Sequence, residues 1–229
     1  MLNLSSRIAL KDRALPVYTK GEEIFNMVSH IVGGAWGIVT LGVCMAISIS
    51  KGDIAGFICG SVFGLSMILL YTVSSVYHGL RTNMAKKVFQ VIDHCTIYLL
   101  IAGTYTPMLV CSLAKGYPTE AWITFAVVWC FTAVATVLTA IDLRKYRIFS
   151  MACYIGMGWA IIFSIDKMYR SISTAGFWLL LGGGILYTVG VIFYNAGKKK
   201  KYFHSVFHLF VLAGSIAQSF SVFIALWSS

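Results

Sequence analysis

Five histidines occur in this chain of 229 residues, and their spacing frames the chemistry it can hold. His204 and His208 are four apart, which on a helix places both imidazoles on one face about 6 Å apart. That geometry suits chelation of one ion and suits a hydrogen-bonded packing pair as well. His78, in the stretch SSVYHG, offers a third imidazole, the number of protein ligands that catalytic zinc commonly takes while leaving a fourth position open. Ser74 lies one turn before His78 on the same face and reads either as a catalytic hydroxyl or as one bonded back to a helix carbonyl.

The segment bearing His204 and His208 lacks the intervening glutamate that acts as general base in soluble zinc proteases, so a hydrolytic site must take its carboxylate from elsewhere. Asp93 is the candidate base, able to hold a water and take its proton; its alternative roles are a salt bridge to a lysine or a helix cap. His94 points about 100° away from Asp93 around a helix and reads as a packing or loop-bonding residue. Glu23, Asn26 and His30 fit a polar face that caps the first helix and staples it to its neighbours, with Glu23 able to reach and support the site.

These residues must be positioned by elements that the composition identifies. Hydrophobic residues make up 59% of the chain and charged residues 11%, a balance that ordinary water-soluble domains do not show. In lipid each crossing must satisfy its own backbone, and continuous apolar runs rather than alternating strands indicate helices instead of a barrel. The expected fold is all-α, with seven crossings at Ile24–Ile49, Ile54–Tyr77, Val88–Leu113, Ala121–Ile141, Ile148–Ile165, Ala175–Tyr194 and Phe203–Trp227. Residues 1–22 form a short tail and residues 23–229 one seven-helix domain. Gly33, Gly34, Gly37 and Gly182 to Gly184 are expected to let helices approach closely, and Pro107 to bend the third crossing.

Fourteen of the 18 lysines and arginines fall in the N-terminal tail and the second, fourth and sixth loops, against four (Lys51, Lys115, Lys167, Arg170) on the other side. The positive-inside rule then puts the N-terminus in the cytoplasm and the C-terminus outside, in a multi-pass protein of the cell membrane. On that reading the net charge of +10 is a topology signal, and nucleic-acid binding is not expected. All the polar residues named above land in one leaflet, the cytoplasmic one. The six cysteines lie in or at the ends of apolar runs without Cys-x-x-Cys spacing, and read as small buried hydrophobes with neither disulfides nor a thiolate metal site. Leu2 to Leu15 reads as a weak surface helix or a mobile tail.

Taken together, E-x-x-N-x-x-x-H-x-x-G (Glu23, Asn26, His30, Gly33), S-x-x-x-H (Ser74, His78), IDHCTIYLLIAGTYTP around Asp93 and H-x-x-x-H (His204, His208) resemble the hemolysin III family. Those bacterial proteins are relatives of the progestin and adipoQ receptors, which include the adiponectin receptors. The resemblance implies a seven-helix bundle with zinc near the cytoplasmic face, bound by His78, His204 and His208, with Asp93 holding a zinc-bound water. It also implies a lipid amide as the analogous substrate, since the wider superfamily contains alkaline ceramidases. Only about 20 residues precede the first crossing, unlike the long N-terminal region of the adiponectin receptors.

Three functions are compatible with this reading. The first is a zinc-dependent hydrolase of a membrane lipid amide or ester, with Asp93 and Ser74 catalytic. The second is a non-enzymatic sensor or regulator of the membrane with a structural zinc. The third is a membrane-lysing hemolysin, which fits poorly because a secreted pore-former must be soluble before insertion. A retinal pump is disfavoured, because the last crossing has no lysine after Lys201.

Overall fold

The computed structural model describes residues 9–197 and 200–228. Among them are seven helices long and apolar enough to cross a membrane: Lys20–Lys51, Ile54–Gly79, Met84–Gly116, Pro118–Ile141, Arg147–Ser171, Thr174–Ala196 and Phe203–Ser228. No strand occurs among the described residues. The all-α, seven-span architecture expected from the composition is therefore the observed one. Local chemistry sets several boundaries. Thr19 opens the first span with a capping box: its hydroxyl accepts from the Glu22 N–H at 3.3 Å, and the Glu22 carboxylate accepts from the Thr19 N–H at 2.8 Å. The capping acid is thus Glu22, which leaves Glu23 for another task. Gly52, at φ 66°, ends the span in the left-handed conformation that glycine adopts without a Cβ clash. Asp53 and Asn83 cap the second and third spans through their side-chain oxygens, each at 2.9 Å.

Packing is inverted relative to a water-soluble domain. Large apolar side chains cover the outside, Phe163 at 90% exposure among them, while Thr40, Ser215 and Ser219 are fully buried. That is the distribution expected when the surrounding solvent is hydrocarbon and hydroxyls find partners only inside the protein. The first and second spans lie closest, as the glycine pattern implies. A Cβ on Gly33 would stand 2.4 Å from the Tyr71 ring, and one on Gly64 2.7 Å from the Leu41 backbone. Of Gly182 to Gly184 in the sixth span, Gly183 meets a neighbour, Gln218, while Gly182 and Gly184 face open space, so the expectation of close approach holds for one glycine of these three.

Two spans depart from simple helices. Pro107, without an N–H, removes the usual donor to the Gly103 carbonyl one turn earlier, and a π-helical stretch at Met108–Leu113 follows immediately after it. The fifth span is broken: α-helix at Arg147–Gly158, 3-10 helix at Ala160–Ser164, then α-helix at Ile165–Ser171. Tyr105 of the third span braces the break, its hydroxyl donating to the Gly158 carbonyl and accepting from the Ile161 N–H, both at 3.0 Å. The apolar run Ile148–Ile165 thus covers only part of this crossing.

Before the first span, the described residues hold one 3-10 turn at Leu10–Asp12 and otherwise no helix until Lys20. The surface helix considered for Leu2 to Leu15 is not formed over residues 9–15, and its remainder lies outside the described residues. So do Arg7, Lys198 and Lys199 of the charge count. The segment lies against the bundle: Arg13 is buried and donates to the Ile141 carbonyl at the end of the fourth span, 2.9 Å away. All six cysteines are free thiols, five of them buried and Cys130 exposed, so the reading as small buried hydrophobes fails at Cys130 alone.

Candidate metal centre

The second and last spans bring His78, His204 and His208 together at the end of the bundle that carries the start of the first span. One ring nitrogen from each lies within 4.8 Å of the others, and all three residues are buried. The four-residue spacing of the last span works as read: the Nε2 atoms of His204 and His208 are 3.1 Å apart. An ion held at about 2.0–2.1 Å from each imidazole in tetrahedral geometry would separate its ligand nitrogens by about 3.3 Å, close to that spacing. No fourth His, Cys, Asp or Glu joins the group among the described residues.

His78 carries the clearest sign of fitness for a metal. Its Nδ1 donates to Glu23 Oε2 at 2.7 Å, while its Nε2 is buried without a hydrogen-bond partner. A carboxylate on one nitrogen fixes the tautomer that leaves the lone pair on the other, which is how metal-binding imidazoles are commonly oriented. Leaving such an atom unpaired in the interior costs about 1–3 kcal/mol. Glu23 is in turn neutralised by Lys86, whose Nζ donates to Glu23 Oε1 at 2.6 Å and to the Leu80 carbonyl at 3.0 Å. Lys86 is 3% exposed. Its position after the second span makes it look like one of the topology-setting lysines, and nothing local signals that it turns inward to a carboxylate of the first span.

Asp93 lies beside this group rather than in it. Ser74 lies within hydrogen-bonding reach of Asp93, and the neighbouring Ser75 bonds back to the Tyr71 carbonyl at 2.7 Å. The ion pairs among the described residues give Asp93 no lysine partner; its contact there is with the His94 ring, Nδ1 to Oδ2 at 3.8 Å. His94 itself donates from Nδ1 to the Gln90 carbonyl at 2.8 Å, one turn back on its own helix and not in a loop. His94 is thus outside the cluster, as its angular offset from Asp93 implies.

Asn26 and His30 continue the Glu23 face inward and are almost fully buried. The His30 ring packs on His208, centroids 3.9 Å apart, and edge-on against Tyr71 at 4.9 Å. Glu22 adds a tie across the bundle, its Oε1 accepting from the Tyr202 N–H at 2.7 Å. Tyr202, at φ 63°, is held in a left-handed conformation that costs a non-glycine residue about 1–3 kcal/mol, directly before the span that carries His204.

Tyr18 was not anticipated from the sequence at all. Its ring stacks on His204, centroids 4.8 Å apart with 20° between planes, and lies 5.8 Å from His78. Burial, and then the neighbouring Tyr194, Glu23 and Asp93, push its hydroxyl well above the usual tyrosine range, so it stays protonated.

Comparison with known proteins agrees with this architecture. Residues 18–219 match the family described as Haemolysin-III related. The chain is 37% identical over 201 residues to Hemolysin-3 of Bacillus cereus, covering 88% of this chain and 90% of that protein. It is also 37% identical over 206 residues to a Hemolysin-3 homolog of Bacillus subtilis, covering 90% and 95%. The human monocyte to macrophage differentiation factor is 26% identical over 175 residues, 73% of this chain and 70% of that one. The match runs from Tyr18, against the histidine cluster, through six spans and into the seventh at Ser219, and the chain is therefore a multi-pass membrane protein that belongs to the haemolysin-III related family.

Proposed function

We propose that the protein is a zinc-dependent hydrolase of a lipid amide or ester, working at the cytoplasmic leaflet, with His78, His204 and His208 as ligands and Asp93 as base. The observation that carries this reading is the group of three buried imidazole nitrogens with a carboxylate beside it that is not itself one of the group. A zinc ion bound there would supply Lewis acidity, polarising the substrate carbonyl and making water nucleophilic near neutral pH.

The protein's own groups have separable tasks. Glu23 accepts the Nδ1 proton of His78 and so keeps Nε2 as a ligand lone pair, while Lys86 balances the charge that this places near the site. Ser74, within hydrogen-bonding reach of Asp93, fixes the direction of that carboxylate. Asp93 takes a proton from the attacking water and returns it to the leaving amine or alcohol, the usual double task of one carboxylate in hydrolysis. The buried surroundings of His30, Tyr71 and Asn26 exclude bulk water from the far side of the histidines. Membrane lipid is the substrate class because the histidines sit near the ends of helices that are long and apolar enough to cross a membrane, the depth at which lipid carbonyls lie.

The alternative of a structural zinc in a sensor is disfavoured by the ligand count. Structural sites are almost always closed by four protein ligands, whereas three are present among the described residues. The decisive measurement is metal content of the purified protein, wild type against His208→Ala, followed by hydrolysis of N-acyl and O-acyl lipids by Asp93→Asn. Wild type should carry about one zinc per chain and His208→Ala far less. Asp93→Asn should keep the metal and lose about 10²–10⁴-fold in rate. Equal metal content in wild type and His208→Ala would overturn the assignment.

A further inference from the structure

We infer that Tyr18 is the gate of the histidine site: it steadies the His204 ring and controls how fast the ion is exchanged. This rests on the metal-binding reading above and assigns a task to a residue that lies before the first span. Of the three imidazoles, His204 is the least sheltered, at 8% exposure against 2% for each of the others. His78 is fixed by Glu23 and His208 is packed on His30. The near-parallel contact on His204 comes from Tyr18, with Tyr194 and Phe207 placed at steeper angles around it.

The segment that delivers Tyr18 is shaped like a strap. It runs without helix from Arg13 to Thr19, between the 3-10 turn and the helix cap. It is tied at one end by Arg13 to the Ile141 carbonyl and by Lys87 to the Lys11 carbonyl, and at the other by the Thr19–Glu22 box. Between those ties Val17 is 97% exposed, so Tyr18 enters the site as a single side chain from an otherwise solvent-facing stretch. Its ring spans both His204 and His78. Water or a chelator attacking from the strap side meets the ring first, and one side-chain rotation would clear it. Ligand exchange at a metal needs an incoming donor, so cover on that side slows both loading and release.

The test uses the full-length protein in detergent, loaded with zinc and mixed with an excess of a chromogenic chelator to time metal release. Tyr18→Ala should bind zinc with wild-type stoichiometry and release it about three- to tenfold faster, the range that loss of one ring stack allows. Tyr18→Phe keeps the ring and should release at nearly the wild-type rate, which separates cover from any task of the hydroxyl. Arg13→Met loosens the strap without touching the histidines and should also accelerate release. It decides the matter if Tyr18→Ala fails to fold. Wild-type release from both Tyr18→Ala and Arg13→Met overturns the gate and leaves the metal site standing. A wild-type protein that takes up no zinc removes both.

Discussion

Replacing Glu23 by glutamine separates what the carboxylate does for the fold from what it does for the site. Glutamine keeps the shape and one acceptor oxygen, so of the two bonds at 2.7 and 2.6 Å one is lost outright and the other loses charge assistance. Hydrogen bonds to charged groups contribute about 1.5–3 kcal/mol each, and stranding a buried Lys86 adds to the loss. The Glu23 side chain is 21% exposed, so solvent returns part of it, and about 2–3 kcal/mol of stability should disappear. Zinc affinity should fall about 10–100-fold, or about 1.4–2.7 kcal/mol, the usual effect of removing the partner that orients a ligand histidine. Thermal unfolding followed by tryptophan fluorescence reads the first quantity and chelator competition the second. The double variant Glu23→Gln/Lys86→Met then removes the stranded ammonium. Stability should recover most of the way, because exchanging a buried ion pair for apolar volume is often neutral, while zinc affinity should stay low. Affinity that recovers together with stability would refute the claim that Glu23 acts on the ion through His78.

Two further outcomes are expected. Gly64→Ala should destabilise by about 1–3 kcal/mol because the new methyl meets Leu41 backbone, while Gly182→Ala, facing open space, should be neutral or up to about 1 kcal/mol stabilising; thermal unfolding of the pair checks the contrast. Alkaline phosphatase fused after Arg147 should be inactive and fused after Trp227 active, as the lysine and arginine distribution requires; the reverse pattern would move the site to the other leaflet.

How far the sequence could be read depended on whether a feature is local. Span positions follow from runs of apolar residues, and the His204–His208 contact follows from helical periodicity alone, so both were legible. His78 joined them only by sharing a leaflet, and Asp93 likewise; the shared depth followed from alternation of the spans, while the actual meeting of the three rings needed the packing. Glu23 was legible as a polar residue in reach of the site but not as the partner of His78, because that contact joins residues 55 apart whose relative rotation is set by the close approach at Gly33 and Gly64. Lys86 was hidden by its resemblance to the topology lysines around it. Tyr18 sits in a stretch with no periodicity, where nothing local indicates which way a ring turns. The fifth span shows the opposite failure: it has no proline, and although Gly156 and Gly158 stand just before the change to 3-10 geometry, glycines elsewhere in the spans sit in unbroken helix, so they do not by themselves mark it.

That broken crossing bears on how the protein is made. At Gly158–Ser164 the chain cannot meet all its own backbone needs, and in hydrocarbon each bare carbonyl or amide costs several kcal/mol. The Tyr105 hydroxyl serves two of them. Released alone into the lipid by the insertion machinery, this stretch would be a poor guest, so the third crossing must already stand in the bilayer when the fifth arrives. Biogenesis therefore acquires an order, and Tyr105→Phe should show its effect in newly synthesised chains as retarded integration and early degradation more than in the finished protein.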